Sequence, residues 1–473
     1  MRYACSLQKE LGLYRTIFMK TFVFEHLLCG HTIHSPASIT VDDQGMITKI
    51  ETEKIPTKCE VIQGLALPGM PNLHSHAFQR AMLGHTEWGS PSSADSFWTW
   101  RDLMYTLVQK LEPDDIQAIA ELLYIEMLEA GYTSVGEFHY VHHRPGGERY
   151  SHTAELSERI LHASRATGIG ITLLPVLYVH GGFEELPSEK QLRFVHSNLE
   201  DYLSLLESLR AQTHSMACAK VGVAPHSLRA VDKETLRLLL KNIEPSMPVH
   251  IHIAEQRREV QDSIKVLGAP PVKWLMDNFN VNERWCLIHS THLVEQEKKE
   301  LAASGAVAGL CPSTEANLGD GIFDTETYLQ KGGRIGLGSD SHVCVSVADE
   351  IRILEYGQRL TKYRRNVLCS EEHASVAQNL YIKACLGGAQ ALQQDVGAIT
   401  EGKRADIMVL DHRHPKICSV PISKALDAWS FGHAANAVRC VMVAGQWVVQ
   451  DGEHILRPSI EQRYRKTVSK LFS

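Results

Sequence analysis

The chain has 473 residues, of which 44% are hydrophobic and 22% charged, and its formal charge is −7 at pH 7. This length exceeds one ordinary hydrophobic core and predicts a large domain with a smaller one, in a composition typical of globular proteins. The sequence is mildly acidic and contains no basic stripe, so we expect no nucleic-acid partner. No apolar run is long enough to cross a bilayer, so we expect no membrane partner.

The N-terminal segment and the cysteines favour a cytoplasmic location. The first 20 residues carry charges and lack the apolar core and small-residue cleavage site of a secretory signal. The 11 cysteines form no CxxC pair, which fits reduced thiols better than a disulfide framework or a thiolate zinc site. Residues 1–18 lack periodicity and are expected to form an N-terminal extension, with Met19 as an alternative start.

Both ends of the chain carry β-strand patterns. A turn at residues 43–45 separates the strand-like runs 38–41 and 46–50, which predicts a hairpin. Near the C-terminus, residues 405–410 and 441–449 look like further strands. We therefore expect the two ends to fold together into one small β-domain.

Between these ends, strand-like and helix-like segments alternate, which is the pattern of a parallel α/β fold. Short apolar strands are predicted at residues 67–73, 134–139, 172–178, 220–225, 249–254, 285–289, 307–311 and 335–339. Eight strands close a (β/α)₈ TIM-like barrel, and the helices between them carry the usual start and stop signals, as in the segment from Pro113 to Gly131. Gly387 and Gly388 are expected to mark a helix end, because no GxGxxG loop follows a strand.

The predicted division of the chain is an N-terminal extension, a small β-domain, a catalytic barrel and a C-terminal helix or tail. The corresponding ranges are 1–18, then 19–66 with 395–455, then 67–394, and finally 456–473.

Histidines and an aspartate stand at the ends of several predicted strands. Alternate residues of a β-strand point to the same face, so His74 and His76 can share one metal ion. His252, His289 and Asp340 end three later strands, and the carboxyl ends of barrel strands meet at the face that holds the active site. Three imidazoles (His74, His76 and His252) with the Asp340 carboxylate suit zinc, with iron as an alternative. A lone HxH is equally compatible with buried histidines satisfied by hydrogen bonds, but the agreement among independent segments favours a metal site.

Six stretches resemble the amidohydrolase superfamily and, within it, the deaminase branch. They are Asn72–Arg80, Ser96–Arg101, Glu137–His143, Ala224–Arg229, Cys311–Gly319 and Gly338–His342. The nearest group is the formimidoylglutamate deiminases of histidine degradation, and the resemblance runs from about residue 20 to about residue 455. It implies a barrel of the amidohydrolase type, one divalent ion and a homodimer. Dinuclear members usually bridge two ions with a modified lysine at the end of strand four, whereas Lys220 stands at the beginning of that strand.

The resemblance also implies hydrolysis of N-formimino-L-glutamate to N-formyl-L-glutamate and ammonia. In that reaction His289 accepts a proton from the attacking water, and Glu255 moves a proton to the leaving nitrogen. Asp340 holds the metal and accepts a hydrogen bond from the water.

A dicarboxylate substrate requires cations in the pocket. Arg101 and Arg229 are candidates because a guanidinium binds a carboxylate with two hydrogen bonds, although an arginine is more often a surface residue. By resemblance, Gln79, Tyr140 and His226 complete the substrate contacts. Trp98 and Trp100 either line the pocket or serve packing.

Two other functions stay open on the sequence alone. The first is a deaminase of the same branch that acts on guanine, cytosine or a ligand like S-adenosylhomocysteine, and such a site would not need two arginines. The second is a relative without enzymatic activity that keeps the barrel as a scaffold, but such relatives typically lose metal ligands, and all the ligands are present here.

Overall fold

The computed structural model describes residues 19–53, 59–88, 96–371 and 373–472. Its strands are β1 Lys20–Cys29, β2 Thr32–His34, β3 Ala37–Val41, β4 Ile47–Glu51, β5 Val61–Pro68, β6 Met70–Ser75, β7 Tyr132–His139, β8 Gly170–Leu177, β9 Ala219–Val221, β10 Ala224–Pro225, β11 Val249–Ile253, β12 Trp285–His289, β13 Val307–Leu310, β14 Arg334–Leu337, β15 Ile407–Leu410, β16 Val438–Val443, β17 Gln446–Gln450 and β18 Glu453–His454. Its α-helices are α1 Phe97–Val108, α2 Pro113–Glu129, α3 Glu155–Thr167, α4 Leu199–Thr213, α5 Lys233–Asn242, α6 Arg257–Leu267, α7 Pro271–Asn278, α8 Glu295–Ser304, α9 Pro312–Leu318, α10 Thr325–Gln330, α11 Val347–Lys362, α12 Val376–Leu392, α13 Ala425–Phe431 and α14 Arg457–Leu471. The predicted N-terminal extension, residues 1–18, lies outside the described residues.

The strands from β6 to β14 form a closed parallel barrel. The first half pairs β6, β7, β8 and the broken fourth strand β9–β10, and the second half pairs β11 to β14 in sequence order. Parallel bridges between Val223 and Val249 and between Ser75 and Asp340 join the two halves. Each of the predicted barrel strands overlaps an observed one, and the (β/α)₈ prediction is confirmed.

Helix α2 illustrates why the outer layer forms where the sequence predicts it. Pro113 occupies its first turn, and the Asp115 side chain accepts the backbone N–H of Glu112. Gly131 follows the helix with φ +95°, a conformation that favours glycine. The predicted helix from Pro113 to Gly131 is confirmed.

The prediction that Gly387 and Gly388 mark a helix end was wrong. Both lie inside α12, whose last residue is Leu392. A Cβ on Gly387 would lie 1.9 Å from the carbonyl oxygen of Ile335 in β14. The glycine pair therefore allows the helix backbone to pack directly against the barrel, a tertiary requirement that overrides helix propensity.

Strands from both ends of the chain share one sheet, which we call the chain-end sheet (β1–β5 with β15–β18). Its order is β18-β17-β16-β15-β5-β1-β3-β4, and β2 pairs with β1. The predicted hairpin is confirmed as β3–β4, with Ile39 opposite Ile50. A separate apolar cluster that includes Phe24, Leu27 and Ile407 fills this sheet's interior. Among the described residues, no helix is long and apolar enough to cross a membrane.

Candidate metal-dependent active site

The four predicted metal ligands meet at the carboxyl ends of the barrel strands. The Nε2 atoms of His74 and His252 are 3.0 Å apart. The Oδ1 atom of Asp340 lies 3.5 Å from Nε2 of His74 and 3.5 Å from Nε2 of His76. All four side chains are buried.

The protonation of these histidines suits metal binding. A carbonyl oxygen can only accept, so the Nδ1–H groups of His76 and His252 donate to the carbonyls of Phe138 (2.8 Å) and His226 (3.2 Å). Their Nε2 atoms therefore keep free lone pairs, the arrangement that commonly orients histidine ligands. Burial lowers the pKa of His76 to about 3 and also lowers the pKa values of His74 and His252, so all three imidazoles are neutral. Three neutral imidazoles and a carboxylate fit a divalent ion such as zinc.

Three residues at or just after the ends of barrel strands adopt an unusual backbone conformation. Ala254, His289 and Asp340 have φ values of 54°, 68° and 47°, in the left-handed region that non-glycine residues rarely adopt. Such strained positions concentrate at functional sites. On β7, the buried carboxylate of Glu137 accepts the Ser75 hydroxyl at 2.6 Å and the Ala77 N–H at 2.7 Å, which holds the segment that carries His76.

Groups suited to proton transfer lie next to the metal ligands. The Nε2 atom of His289 is 3.7 Å from Oε1 of Glu255 and 3.7 Å from Oδ2 of Asp340. Burial acts to lower the pKa of His289, but Glu255, Glu315 and Asp340 outweigh it and raise this pKa to about 10. For the Asp340 carboxyl, in contrast, burial itself raises the pKa, to about 7. These carboxylates and the imidazole form a cluster, and a positive charge added to it would change the protonation states of His289 and Asp340.

A cavity of about 580 Å³, counted with its open mouth, leads from the protein surface to this cluster. The predicted substrate contacts all line it: Gln79, Arg101, Tyr140, His226 and Arg229. Its wall is otherwise largely aromatic, and includes Phe97, Trp100, Tyr105, Tyr178 and Phe194. Sequence reasoning did not assign Phe97, Tyr105, Tyr178 or Phe194 to the site, because an aromatic residue on a helix or strand is more often part of the core.

Both predicted arginines reach the cavity with unused hydrogen-bonding capacity. The Nε atoms of Arg101 and Arg229 are buried without a hydrogen-bond partner in the described structure. Arg101 lies over the ring of Trp98, with its guanidinium carbon 4.5 Å from the ring centre. Burial acts to lower the pKa of Arg229, but Glu259 and other neighbours outweigh it and raise this pKa. Of the two tryptophans considered above, Trp100 lines the cavity and Trp98 stacks on Arg101.

Three acidic residues that sequence reasoning did not assign a role support the site. Glu315 Oε1 lies 3.3 Å from His289 Nδ1 and accepts the Cys311 N–H at 2.9 Å. Glu259 accepts the N–H groups of Ala254 and Glu255 at 3.2 and 3.0 Å. Asp320 accepts a hydrogen bond from Gln256, and burial together with Glu255 raises its pKa to about 9. The available signals were the position of Glu315 just after a barrel strand and the four-residue spacing of Glu259 from Glu255.

The fold and this cluster define a barrel hydrolase with a metal site. Comparison with known proteins agrees, since residues 65–448 match the Amidohydrolase family. Over 416 residues the chain is 51% identical to formimidoylglutamate deiminase of Pseudomonas aeruginosa, covering 88% of this chain and 91% of that protein. The chain belongs to the amidohydrolase family, whose members are metal-dependent, and it is a hydrolase that acts on carbon–nitrogen bonds. The resemblance to the formimidoylglutamate deiminases, inferred above from sequence motifs, is confirmed.

Solved structures show the same fold. An amidohydrolase from Brucella melitensis superposes with a TM-score of 0.90 at 41% identity, over 96% of this chain and 100% of that one. An adenosine deaminase from Xanthomonas campestris with bound zinc superposes with a TM-score of 0.76 at 19% identity, over 95% of this chain and 98% of that one. At that identity the second likeness shows the fold alone.

Proposed function

We propose that this chain hydrolyses N-formimino-L-glutamate to N-formyl-L-glutamate and ammonia, the formimidoylglutamate deiminase reaction of histidine degradation. The observation that carries the proposal is the pair of half-buried arginines in the cavity wall, Arg101 and Arg229, whose Nε atoms are buried and have no hydrogen-bond partner in the described structure. A buried N–H donor without a hydrogen-bond partner is costly, so a cavity that two such arginines line suits a ligand with two carboxylates. The name of the Pseudomonas aeruginosa relative supports the same substrate.

We propose that His74, His76, His252 and Asp340 hold the divalent ion. When bound, such an ion supplies Lewis-acid chemistry and lowers the pKa of water toward neutrality. The proposal of a single ion is supported by Lys220, whose ammonium group donates to the backbone carbonyl of Gln393. Zinc is the proposed ion and iron the alternative, because a set of three imidazoles and one carboxylate accepts both.

The protein's own residues carry the protons of the reaction. His289 accepts one proton from the attacking water, while Asp340 orients that water through a hydrogen bond. The water oxygen forms a bond to the formimino carbon, and the bond from that carbon to the terminal nitrogen breaks. Glu255 transfers to this nitrogen the second water proton and the proton that His289 accepted, so that both water protons end on it and ammonia leaves. His289 accepts a proton only in its neutral form, and the carboxylates that raise its pKa would be offset by the positive charge of an ion held by the neighbouring ligands.

Substrate orientation is assigned to residues along the cavity wall. Arg101 and Arg229 bind the two carboxylates, and Trp98 fixes the plane of the Arg101 guanidinium by stacking. The amide Nε2–H of Gln79 donates to the Tyr140 hydroxyl at 3.0 Å, which leaves the buried Oε1 atom of Gln79 free for a substrate N–H. His226 completes the contacts beside the metal ligand His252.

The direct test is ammonia release by the purified, zinc-loaded enzyme. N-formimino-L-glutamate should be hydrolysed, with formylglutamate as the second product. N-formimino-L-aspartate, guanine, cytosine and S-adenosylhomocysteine are assayed in parallel as alternative substrates. Ammonia from a base or nucleoside, with none from the formimino compound, would reject the proposed substrate and favour another deaminase of the same family.

Three further proposals concern organisation. We propose the division into a small β-domain (19–66 with 395–455), a barrel (67–394) and a C-terminal helix or tail (456–473), which limited proteolysis can test. A cytoplasmic location is supported by the described cysteines, all of which are free. A homodimer rests on family resemblance, and sedimentation velocity would distinguish it from a monomer.

A further inference from the structure

Three side chains of the metal-ligating type lie together on the chain-end sheet, away from the active site. Glu25 and His26 belong to β1, and His412 follows β15. Each offers a ligand atom, and these atoms all lie within 4.8 Å of one another. The Oε2 atom of Glu25 is 3.7 Å from Nδ1 of His412. None of the three lines the active-site cavity.

A β-bulge brings Glu25 and His26 to the same side of their strand. Successive residues of a regular strand face opposite sides of the sheet. Here the register between β1 and β5 shifts between Phe24 and His26. As a result, Glu25 and His26 are both half-buried, with two buried residues before them and two after them. Bulges commonly re-aim a side chain in this way.

The three side chains are held by neighbours that suit a ligand role. The Nδ1 atom of His26 lies 2.6 Å from the Ser35 hydroxyl, which leaves its Nε2 atom available. Glu25 Oε2 accepts the Gly64 N–H at 3.0 Å. The Nδ1 atom of His412 is buried and has no hydrogen-bond partner in the described structure. Burial lowers the pKa of His26 and favours the neutral form that binds metal ions.

We propose that Glu25, His26 and His412 bind a second divalent ion of the zinc class. Two imidazoles and a carboxylate favour such an ion over magnesium or calcium, which prefer oxygen ligands. A tetrahedral ion with bonds of about 2.0–2.1 Å holds neighbouring ligand atoms roughly 3.4 Å apart, close to the separation of Glu25 and His412. The ion links the first strand of the sheet to the loop after β15 and stabilises the folded chain because it binds only when both are in place.

The test is zinc stoichiometry, measured by atomic emission on the full-length holoenzyme after equilibration with zinc. The wild type should hold two equivalents per chain. His412→Gln and Glu25→Gln should each hold one and keep the wild-type kcat. Ser35→Ala should lower the affinity for the second zinc ion by about 10–100-fold, because it removes the hydroxyl that orients the His26 ring. The matched control is His414→Gln, which replaces a nearby histidine outside the cluster and should keep both equivalents.

Thermal unfolding gives a second readout that does not depend on activity. Added zinc should raise the Tm of the metal-loaded wild type and of His414→Gln by more than the Tm of His412→Gln, which keeps only the active-site ion. One equivalent in the zinc-saturated wild type would overturn the proposal, as would two equivalents in the double variant Glu25→Gln with His412→Gln. Because these side chains are only half-buried, the variants should fold, and an unchanged kcat verifies that they do.

Discussion

Replacing Arg229 by methionine tests the substrate assignment most directly. The Arg229 side chain is half-buried, its Nε atom is buried without a hydrogen-bond partner in the described structure, and the acidic side chains near it include Glu259. Methionine keeps much of the apolar volume and removes the charge and every donor. Removing one member of a buried, hydrogen-bonded charge pair costs about 2–5 kcal/mol. At about 1.4 kcal/mol per factor of ten, kcat/KM should fall by roughly 30- to 4,000-fold.

The assay is steady-state ammonia release, with metal content measured on the same samples. The loss should appear mainly as a higher KM, because Arg229 binds the substrate away from the reacting carbon, and the metal content should stay at the wild-type value. Arg237→Met is the matched control, since its side chain is 56% exposed and pairs with Glu234 at the surface. A kcat/KM for Arg229→Met within threefold of the wild type, or an equal loss in the control, would remove Arg229 from the substrate site.

Four further predictions address the proton-transfer group, the metal site and acid stability. Glu255→Gln should lower kcat by about 10²–10⁴-fold at unchanged metal content, since it removes a proton carrier; loss of bound metal instead would make Glu255 a ligand. Asp340→Ala should lose metal and activity together, and one tenth of the wild-type turnover would contradict its role as a ligand. Glu315→Gln removes a negative charge beside His289, so the acidic limb of the kcat/KM pH profile should move to lower pH; an unmoved limb would show that Glu315 serves packing alone. Burial lowers the pKa of His196 from 6.5 to about 3, so the unfolded chain binds its proton first and stability falls as the pH drops below 6.5. In urea titrations, the free energy of unfolding of the wild type should therefore fall between pH 7 and pH 5 by about 2 kcal/mol more than that of His196→Asn. Equal losses in the two proteins would contradict the lowered pKa of His196.

Local patterns in the sequence were enough to predict the barrel and the side chains at its mouth. Strand periodicity places His74 and His76 on one face, and parallel strands bring their carboxyl ends to one edge of the barrel. His252, His289 and Asp340 end other strands, so connectivity alone predicts that they approach the first pair. The structure brings these residues together, with the Nε2 atoms of His74 and His252 separated by 3.0 Å. Their catalytic roles stay predictions.

Family resemblance, rather than periodicity, selected the substrate contacts. An isolated arginine such as Arg101 or Arg229 has no local signature that separates it from a surface arginine. Burial is decided by elements that are distant in sequence, as the approach of Glu259 to Arg229 and the position of Arg101 and Arg229 in the wall of one cavity illustrate.

The sequence by itself determined the fold class, the order of the strands and the residue types at their ends, because these depend on periodicity and on local turn chemistry. Only the tertiary structure decided how Glu315 meets His289, why Gly387 lies inside a helix, and how a bulge and a late loop bring Glu25, His26 and His412 together. Each of these depends on contacts between segments far apart in the chain. Such contacts are set by how the layers pack, and a local pattern does not record them.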